Sequence, residues 1–431
     1  MTIALHAPTR RELLRSSGVL FAWTCLPRLA LAEGRDPRLL VMVLRGALDG
    51  LAAVAPVGDP DWTRLRGDKA LTLSPGPQNA APALALDSFF ALNPAMPNLH
   101  RMYRAGQATV VHAVASPYRE RSHFDGQDVL ESGLTQPGAA DSGWLNRALA
   151  GLAPAGQVSP KGREAFAVGP VTPLVVRGTA PVMSWTPAHL PPPTDDTVRR
   201  LLELYRHTDP ALARVLEERM DLATIAQGSG MTQMASNGPA VQPPVRPGAP
   251  AMPQPPGAAQ RKYFADAAGA AASFLARPDG PRIGALSFDG WDTHQDEGVA
   301  NGRLAILLGA LDGALGAVET GMGPAWRETV VAVVTEFGRT ARINGTEGTD
   351  HGTGTIALLA GGAVKGGRVV ANWPGLKDAN LYQGRDLSPT TDLRAVLKGV
   401  LRDHVRVTET ALANAVFPGS ADIKPLGGLI A

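Results

Sequence analysis

The stretch Leu39-Leu-Val-Met-Val-Leu44 decides the fold. It is a continuous apolar run, which is typical of a strand buried on both faces, and such strands belong to parallel sheets covered by helices. Four later runs have the same character, at residues 109–114, 283–288, 329–334 and 355–359. Helical patterns alternate with them, at 195–205, 259–276, 299–319 and onward from Thr390 or Thr391. The alternation predicts an α/β fold, a three-layer sandwich with a mostly parallel central sheet.

The first 32 residues have the features of a bacterial export signal. Thr9-Arg-Arg-Glu-Leu-Leu-Arg15 resembles the twin-arginine motif, an uncharged apolar segment follows at residues 19–26, and Ala30-Leu-Ala32 gives a small-x-small cleavage site. The apolar segment is too short to span a bilayer. We therefore expect residues 1–32 to be removed and residues 33–431 to form a single domain. We expect the twin-arginine export machinery to deliver it to the periplasm or the outside.

Composition narrows the function classes. The chain has a net charge of +2, and its first 32 residues carry four arginines and one glutamate, so the mature chain has a net charge of −1. This balance gives no basis for nucleic-acid binding, and we expect no membrane span after the signal is removed. The one cysteine, Cys25, lies in the signal, which excludes disulfide and thiolate chemistry from the mature chain. A Pro-, Gly- and Ala-rich stretch at about 236–258 predicts a disordered insertion.

Polar residues accompany the predicted strands at the edge where open α/β sheets bind ligands. The acidic and histidine residues of this set are Asp49, Asp289, Asp292, His294, Glu336, Asp350 and His351. Carboxylates about 4 Å apart repel by on the order of 4 kcal/mol per pair at an effective dielectric constant of about 20, and divalent cations offset that repulsion. The set therefore predicts a divalent metal, with zinc, manganese, calcium and magnesium all open. The alternative is that several of these residues are loop caps or salt-bridge partners.

Gly348-Thr-Asp-His-Gly-Thr-Gly354 is the most informative part of this set. Asp350 is a hard anionic ligand and His351 a borderline imidazole ligand, a pairing that suits zinc or manganese. The three glycines would let the backbone approach a ligand closely.

Ser122-His-Phe-Asp125 supplies the candidate catalytic residues. Ser122 is placed to cap a helix, with Asp125 at the capping-box position. The alternative is that the Ser122 hydroxyl faces a cation from the same helix N-terminus. It would then be the nucleophile for phosphoryl or sulfuryl transfer. His123 is either a ligand or a general acid. No Gly-x-Ser-x-Gly elbow is present in the sequence, so an α/β-hydrolase triad is unsupported.

Three arginines close to the same motifs are candidates for binding an anionic substrate. They are Arg45, Arg119 and Arg339. The forked guanidinium matches the oxygens of phosphate and sulfate groups. A structural role for each is the alternative.

Together these motifs resemble those of an exported bacterial family, domain of unknown function 1501. The resemblance rests, in order, on Leu44-Arg-Gly-Ala-Leu-Asp-Gly-Leu51, Ser122-His-Phe-Asp-Gly-Gln-Asp128, Phe288-Asp-Gly-Trp-Asp-Thr-His294, Thr335-Glu-Phe-Gly-Arg339 and Gly348-Thr-Asp-His-Gly-Thr-Gly354. It covers nearly all of the mature chain. That family is similar to the alkaline phosphatase and sulfatase superfamily, so the resemblance implies an alkaline-phosphatase-like core with a metal-dependent hydrolytic site.

The resemblance also implies roles for individual residues. Asp49 corresponds to the first-strand metal ligand, Asp350 and His351 to a late ligand pair, and Asp289 or Asp292 with His294 to an Asp-spacer-His motif. Ser122 takes the position of the nucleophile.

Three departures accompany the resemblance. Glu336 ends its strand where the late pair usually begins, which makes it an alternative ligand. The superfamily's phosphatases have a further histidine ligand near the C-terminus, where this chain has only His404. No cysteine stands where a formylglycine sulfatase needs one.

The motifs and the resemblance predict an exported metal-dependent hydrolase of phosphate or sulfate esters. Its substrate would be a small anionic ester or a sulfated or phosphorylated glycan. The alternative is a non-catalytic periplasmic protein that binds a polysaccharide or a partner on the same scaffold.

Overall fold

The central sheet lies in the unit Arg38–Ala431. The computed structural model describes residues 35–75, 81–138, 140–152, 165–168, 172–180, 182–185, 202–206, 209, 213, 257–278 and 280–431. The predicted export signal lies outside the described residues, and so does the predicted insertion up to residue 256.

Five of the strands are those that the apolar runs predict. The strands are β1 (Arg38–Arg45), β2 (Val54–Ala55), β3 (Leu84–Ala85), β4 (Ala91–Leu92), β5 (Ala108–Ala115), β6 (Ala165–Val168), β7 (Val182–Trp185), β8 (Ile283–Asp289), β9 (Thr329–Thr335), β10 (Thr355–Ala360), β11 (Arg368–Val370) and β12 (Thr391–Asp392). The predicted runs correspond to β1, β5, β8, β9 and β10.

Helices precede and follow these strands. They are α1 (Gly50–Ala53), α2 (Trp62–Arg66), α3 (Pro97–Arg104), α4 (His123–Ser132), α5 (Trp144–Gly151), α6 (Ala258–Leu275), α7 (Arg303–Met322), α8 (Leu393–Val400) and α9 (Glu409–Ala411). Short 3-10 helices occupy Gly67–Lys69, Leu174–Val176, Gly323–Glu328 and Asp378–Asn380, and π-helical turns occupy Leu401–Val405 and Leu412–Val416.

Among the described residues, the main sheet has nine strands in the order β11-β5-β10-β9-β1-β8-β6-β7, with β12 also paired to β5. The strands β2, β4 and β3 form a separate small sheet. Within the main sheet, β10 is antiparallel to both of its neighbours, and the other pairs are parallel. The predicted α/β class with a mostly parallel central sheet is confirmed.

The two faces of the sheet carry separate apolar cores. Along β1, residues 40, 42 and 44 lie in one core and residues 39, 41 and 43 in the other, because side chains alternate along a strand. The first core includes side chains of α3, α6 and α7, and the second includes side chains of α5 and α8. Each buried Leu, Val or Met contributes about 1.5–3 kcal/mol through its burial. Layers of helix on both faces give the predicted three-layer arrangement.

The reversed direction of β10 decides where a site can form. Thr355, its first residue, pairs with Val114 at the end of β5, so the residues before β10 lie at the carboxyl edge of the parallel strands. Asp350 and His351 precede this strand. In a parallel strand they would have lain at the opposite edge of the sheet.

Helix α7 is unusually apolar for its length. Together with the 3-10 helix that follows it, α7 forms a segment, Arg303–Glu328, that is long and apolar enough to cross a membrane by length and composition alone. The expectation that no such segment follows the first 32 residues is wrong by that measure. Its apolar face lies in the first core, however, and it packs against α6 as a core helix does. Its buried Asp312 accepts the backbone N–H groups of Asn98 at 3.1 Å and Leu99 at 2.8 Å, which caps the start of α3.

Candidate metal centre

Four side chains meet at the carboxyl edge of the sheet. His123 begins α4 after β5, Asp292 and His294 follow β8, and His351 precedes β10. Ligand atoms of His123, Asp292 and His351 all lie within 4.8 Å of one another. These four residues are called the imidazole cluster below.

The ring nitrogens of the imidazole cluster converge. His351 Nε2 lies 2.9 Å from His123 Nε2 and 2.9 Å from His294 Nε2. Asp292 Oδ1 lies 3.1 Å from His294 Nε2 and 3.3 Å from His351 Nε2, and Asp292 Oδ2 lies 3.5 Å from His123 Nε2. The side chain of His294 is 42% exposed, whereas that of His123 is 11% exposed. The cluster is therefore open to solvent on the His294 side.

The opposite ring nitrogen of each histidine has its own acceptor. His123 Nδ1 lies 2.8 Å from Glu336 Oε1, His351 Nδ1 lies 2.9 Å from the Arg121 carbonyl oxygen, and His294 Nδ1 lies 3.4 Å from Asp350 Oδ1. A carbonyl or carboxylate oxygen can only accept, so these partners assign the proton to Nδ1 in each ring. In the neutral rings the Nε2 atoms then present lone pairs, which is how a metal-binding histidine is oriented.

The donor set fits a divalent metal ion. Lone pairs 2.9 Å apart repel, so the cluster needs a cation or a shared proton between them. Zinc–nitrogen bonds of about 2.0–2.1 Å in a tetrahedral site place the ligand atoms about 3.3 Å apart, and the separations above run from 2.9 to 3.5 Å. Three imidazoles with one carboxylate suit zinc better than magnesium or calcium.

Protons compete with a cation for these atoms. Burial alone would raise the pKa of Asp292, but its side-chain interactions with the three imidazoles and the charge of Arg339 hold it well below its usual range. Burial lowers the pKa of His351, which keeps that ring neutral. A ring with its proton at Nδ1 can donate from Nε2 to Asp292 only when the ring is positively charged. A metal ion at Nε2 would displace that second proton, so metal binding should release protons at low pH.

Arg339, a predicted substrate-binding residue, is committed to Asp292 instead. Its side chain is buried, Nη1 donates to Asp292 Oδ1 at 2.6 Å, and Nε donates to Thr349 Oγ1 at 3.1 Å. The guanidinium also donates to the Thr349 carbonyl oxygen. These contacts orient the carboxylate of the cluster.

Glu336, the alternative ligand, lies behind His123. Its buried Oε1 accepts from His123 Nδ1 and from the backbone N–H of Gly46, both at 2.8 Å, and from Gln127 Nε2 at 3.3 Å. Gly46 has φ +119°, and a Cβ there would lie 2.5 Å from the Asp292 nitrogen, so this contact needs glycine. Glu336 is therefore placed to orient the His123 ring.

Asp350 lies at the rim of the cluster, behind His294. Its side chain is 55% exposed, and Oδ1 accepts from Asn344 Nδ2 at 3.1 Å as well as from His294. The Asn344 hydrogen bond is the largest influence that lowers the pKa of Asp350. A Cβ at Gly348 would lie 2.3 Å from the His294 carbonyl group, so this glycine allows backbone to pack on backbone. The prediction that it serves close approach to a ligand needs this correction.

No hydrogen bond or ion pair of the described residues joins Asp49 to the cluster. Its carboxylate is buried, and Arg66 donates to Oδ2 at 2.5 Å and to Oδ1 at 3.0 Å. Oδ1 also accepts the Ala52 N–H at 3.1 Å, which caps α1. The described contacts thus give Asp49 the salt-bridge and cap roles that the sequence left as its alternative.

Two further predicted residues are not brought into the cluster by the contacts of the described residues. Asp289 ends β8 in register with Arg45. Ser122 caps α4 and accepts the Asp125 N–H over a long 3.5 Å. It stands next to His123 in the chain.

The remaining two predicted arginines bind other parts of the chain. Arg45 donates to Glu131 Oε1 at 3.1 Å through Nε and at 2.5 Å through Nη2. Arg119 donates through Nη1 to the carbonyl oxygens of Ser116 and Tyr118.

Arg121 is a site residue that the sequence motifs did not single out. It has φ +61°, a strained left-handed conformation for a side chain of its size. Its guanidinium donates to buried Asp386 at 3.0 and 2.8 Å, and its carbonyl oxygen accepts from His351. A backbone carbonyl can accept a hydrogen bond in any residue type, so the sequence does not indicate this role of Arg121. The positive φ and the Asp386 contact in the structure identify it.

His404 lies at the other edge of the sheet. Its Nε2 lies 3.0 Å from the carbonyl oxygen of Arg38, the first residue of β1. It therefore cannot serve as a late ligand of the imidazole cluster.

Comparison with known proteins places the chain by family rather than by activity. The family model described as protein of unknown function (DUF1501) matches residues 36–416. A comparison with curated proteins gave no match.

Solved structures give weaker similarities. Ps i-CgsB in complex with k-i-k-neocarrahexaose aligns with a TM-score of 0.36 and 10% identity, covering 78% of this chain and 69% of that one. The phosphonate monoester hydrolase of Agrobacterium radiobacter aligns with a TM-score of 0.35 and 12% identity, covering 78% and 70%. The C-terminal periplasmic domain of EcEptC from Escherichia coli, in complex with Zn, aligns with a TM-score of 0.33 and 10% identity, covering 77% and 74%.

Proposed function

We propose that this chain, which belongs to the DUF1501 family of proteins of unknown function, is an exported hydrolase of phosphate or sulfate esters that works with a divalent metal ion. The observation that carries the proposal is the convergence of three imidazole Nε2 atoms and one carboxylate, each histidine having an acceptor at Nδ1. Export by the twin-arginine route rests on the motif at residues 9–15.

The proposed ligands are His123, His294 and His351 through Nε2, and Asp292 through a carboxylate oxygen. His123, Asp292 and His351 form the closest group, and His294 contacts that group through His351 and Asp292. We therefore assign His294 to the ligand position nearest the solvent. Among zinc, manganese, magnesium and calcium, this imidazole-rich set favours zinc. When bound, such an ion acts as a Lewis acid on the ester and lowers the pKa of the attacking hydroxyl group.

The surrounding residues position the ligands and leave one side open. Glu336 holds the His123 ring, Arg339 holds the Asp292 carboxylate, and the Arg121 carbonyl holds the His351 ring. The exposed side of His294 is where an ester would approach. Ligands fixed in this way need little rearrangement during reaction, which favours catalysis.

Arg385 replaces the predicted arginines as our candidate for binding the anionic group. Its guanidinium donates to the His351 carbonyl oxygen, next to the cluster, and its side chain is 41% exposed. Arg385 also pairs with Asp386 through Nε at 3.0 Å, but it is more exposed than Arg45, at 24%, and Arg339, at 0%. A forked, partly exposed guanidinium suits a phosphate or sulfate group, alone or on a glycan.

Ser122 remains our candidate nucleophile, with water as the alternative. The hydroxyl stands beside His123 at the start of α4, and its cap bond to Asp125 is long. Ser122→Ala distinguishes the two: turnover by Ser122 would be lost, whereas turnover by water would survive at a modestly reduced stability.

Zinc content and turnover of phosphate and sulfate monoesters test the proposal. We expect purified protein to bind zinc stoichiometrically and to hydrolyse at least one aryl ester, and we expect His351→Ala to lose both properties. His100→Ala is the matched control, because that histidine contacts the Ala85 carbonyl oxygen away from the cluster. Protein that binds no divalent metal, or turnover that survives in His351→Ala, contradicts the proposal.

A non-catalytic binding protein is the second candidate. The helix-cap role of Ser122 and the internal partners of Arg45, Arg119 and Arg339 favour it. Zinc-dependent binding of a sulfated or phosphorylated glycan without any turnover would support it over the hydrolase.

A further inference from the structure

A buried acid, Glu297, lies behind the imidazole cluster. Its Oε1 accepts the Thr293 hydroxyl at 2.8 Å and the Thr349 hydroxyl at 3.5 Å. Thr293 stands between Asp292 and His294, and Thr349 stands directly before Asp350 and His351. One carboxyl oxygen therefore joins the two loops that carry three of the four proposed ligands.

A chain of hydrogen bonds continues from Glu297 to a proposed ligand. Thr349 Oγ1, which donates to Glu297, accepts from Arg339 Nε at 3.1 Å. The same guanidinium donates through Nη1 to Asp292 Oδ1 at 2.6 Å. The backbone supports this link, because the Thr349 N–H donates to the Thr293 carbonyl oxygen at 3.0 Å.

The surroundings of Glu297 favour its neutral form. The residue is fully buried, and Oε2 has no hydrogen-bond partner among the described residues. Burial and the charge of Asp49 raise the pKa of Glu297 to about 8, against the opposing effects of Arg66, Thr293 and Arg339. An ionised carboxylate would leave one charged oxygen without a donor in the protein, which is costly in a buried setting.

We propose that Glu297 is a positioning residue of the metal site, a neutral buried acid that ties the two ligand-bearing loops together through Thr293 and Thr349. The proposal rests on the proposed function insofar as the loops hold a metal ion. Glu297 touches no proposed ligand and acts through Thr349 and Arg339. Glutamine should therefore replace it, whereas alanine should not.

Zinc binding at pH 7, measured by titration calorimetry on the full mature chain, gives the first test. We expect Glu297→Ala to weaken zinc binding about tenfold, at the low end of what outer-sphere changes cost, and Glu297→Gln to bind as the wild type does. Asp312→Ala is the matched control, since it removes a buried acid at the start of α3 and should lower stability without changing zinc affinity. Equal zinc affinity in the wild type and Glu297→Ala overturns the proposal.

Two measurements on metal-free protein separate this proposal from the proposed function. Amide hydrogen exchange at residues 292–294 and 347–351 should be faster in Glu297→Ala and unchanged in Glu297→Gln. A wild type that binds no zinc would contradict the proposed function, and the exchange rates would still decide the role of Glu297. Unchanged exchange in Glu297→Ala overturns the positioning role.

The pH dependence of the melting temperature provides the last readout. Because the pKa of Glu297 is raised on folding, its stabilising effect is complete below about pH 4.5 and is lost as the pH rises to about 8. The wild type should therefore lose melting temperature over that range relative to Glu297→Gln, and the difference should be constant above it. Parallel curves for the two proteins would show that Glu297 is ionised in the folded state and overturn the neutral-acid assignment.

Discussion

Asp49 and Asp292 follow two neighbouring strands at the same edge of the sheet, yet they have different surroundings. Asp49 is 1% exposed, and Arg66 contacts both of its oxygens, at 2.5 and 3.0 Å. Asp292 is 17% exposed, receives one guanidinium nitrogen at 2.6 Å, and faces three imidazole rings. The Asp49 carboxylate is enclosed in an ion pair, whereas the Asp292 carboxylate faces the three imidazole rings.

The surroundings of the two aspartates differ because Arg66 and Arg339 approach them from different sides. Arg66 ends α2 and lies behind Asp49, with Nε donating to the Ala341 carbonyl oxygen at 2.8 Å and Nη2 to the Thr340 carbonyl oxygen at 3.2 Å. Arg339 approaches Asp292 from one side and leaves the imidazole side free. Position at a strand end is therefore not enough to make a carboxylate a ligand, since the partner that arrives from a distant segment decides its role.

Breaking the buried ion pair should have the largest effect. Asp49→Ala leaves Arg66 buried and without its carboxylate, and removal of one partner from a buried pair costs about 3–5 kcal/mol. Urea unfolding of the metal-free protein measures this loss. In the fraction that stays folded, zinc affinity should be unchanged, because Asp49 touches no residue of the imidazole cluster.

Two variants provide controls for this prediction. Asp378→Ala removes an exposed partner of Arg64 and Arg342 and should cost little stability, because water screens such pairs. The double change Asp49→Leu with Arg66→Met should recover much of the lost stability. A loss of zinc affinity in Asp49→Ala at unchanged stability would mean that Asp49 is a ligand after all.

Asp292→Asn should have the opposite effect to Asp49→Ala, with a large loss of zinc affinity and a smaller loss of stability. It keeps the size of the side chain and removes the anionic ligand, so we expect zinc affinity to fall about 100-fold or more, roughly 2.7 kcal/mol, beyond the 10–100-fold range of outer-sphere changes. Its unfolding free energy should change less than that of Asp49→Ala, because Asp292 is partly exposed. Calorimetric zinc titration and urea unfolding of the same samples measure both quantities, and equal profiles for the two variants would refute the comparison.

Glu336→Gln should weaken metal binding less than the loss of a ligand does. The amide oxygen can still accept from His123 Nδ1, but it no longer carries the charge that favours that proton position. We expect a loss of about tenfold in zinc affinity. A loss as large as that of Asp292→Asn would identify Glu336 as a ligand, the alternative that the sequence left open.

The sequence predicted the sheet and the edge that carries the site, but it could not sort the carboxylates. Continuous apolar runs identify β1, β5, β8, β9 and β10, because buried strands need apolar side chains on both faces. The run at residues 355–359 looks the same in either direction, so the reversal of β10 left no local signal.

The carboxylates were ambiguous for a related reason. Arg66 lies 17 residues from Asp49, and Arg339 lies 47 residues from Asp292. No local sequence pattern predicts which arginine pairs with which aspartate. The same holds for the Arg121 carbonyl oxygen, since every residue has one. Sequence motifs therefore indicated the residue types of the candidate metal site, while the division between proposed ligands and the residues that position them depended on packing.

Asp350→Ala should have the smallest effect, although Asp350 belongs to the motif that first suggested a metal. The structure places it outside the Nε2 side of the cluster, more than half exposed, at 3.4 Å from His294 Nδ1. Exposed charge interactions contribute about 0–1 kcal/mol, so zinc affinity should fall by a few-fold at most, and Asn344→Ala should have a similar effect. Calorimetric titration of both variants beside Asp292→Asn tests this order. If Asp350→Ala instead abolished zinc binding, the loop at residues 348–354 would have to turn the Asp350 side chain toward the Nε2 atoms when metal binds. Asp350 would then be a ligand in the metal-bound protein only, unlike both the enclosed Asp49 and the proposed ligand Asp292.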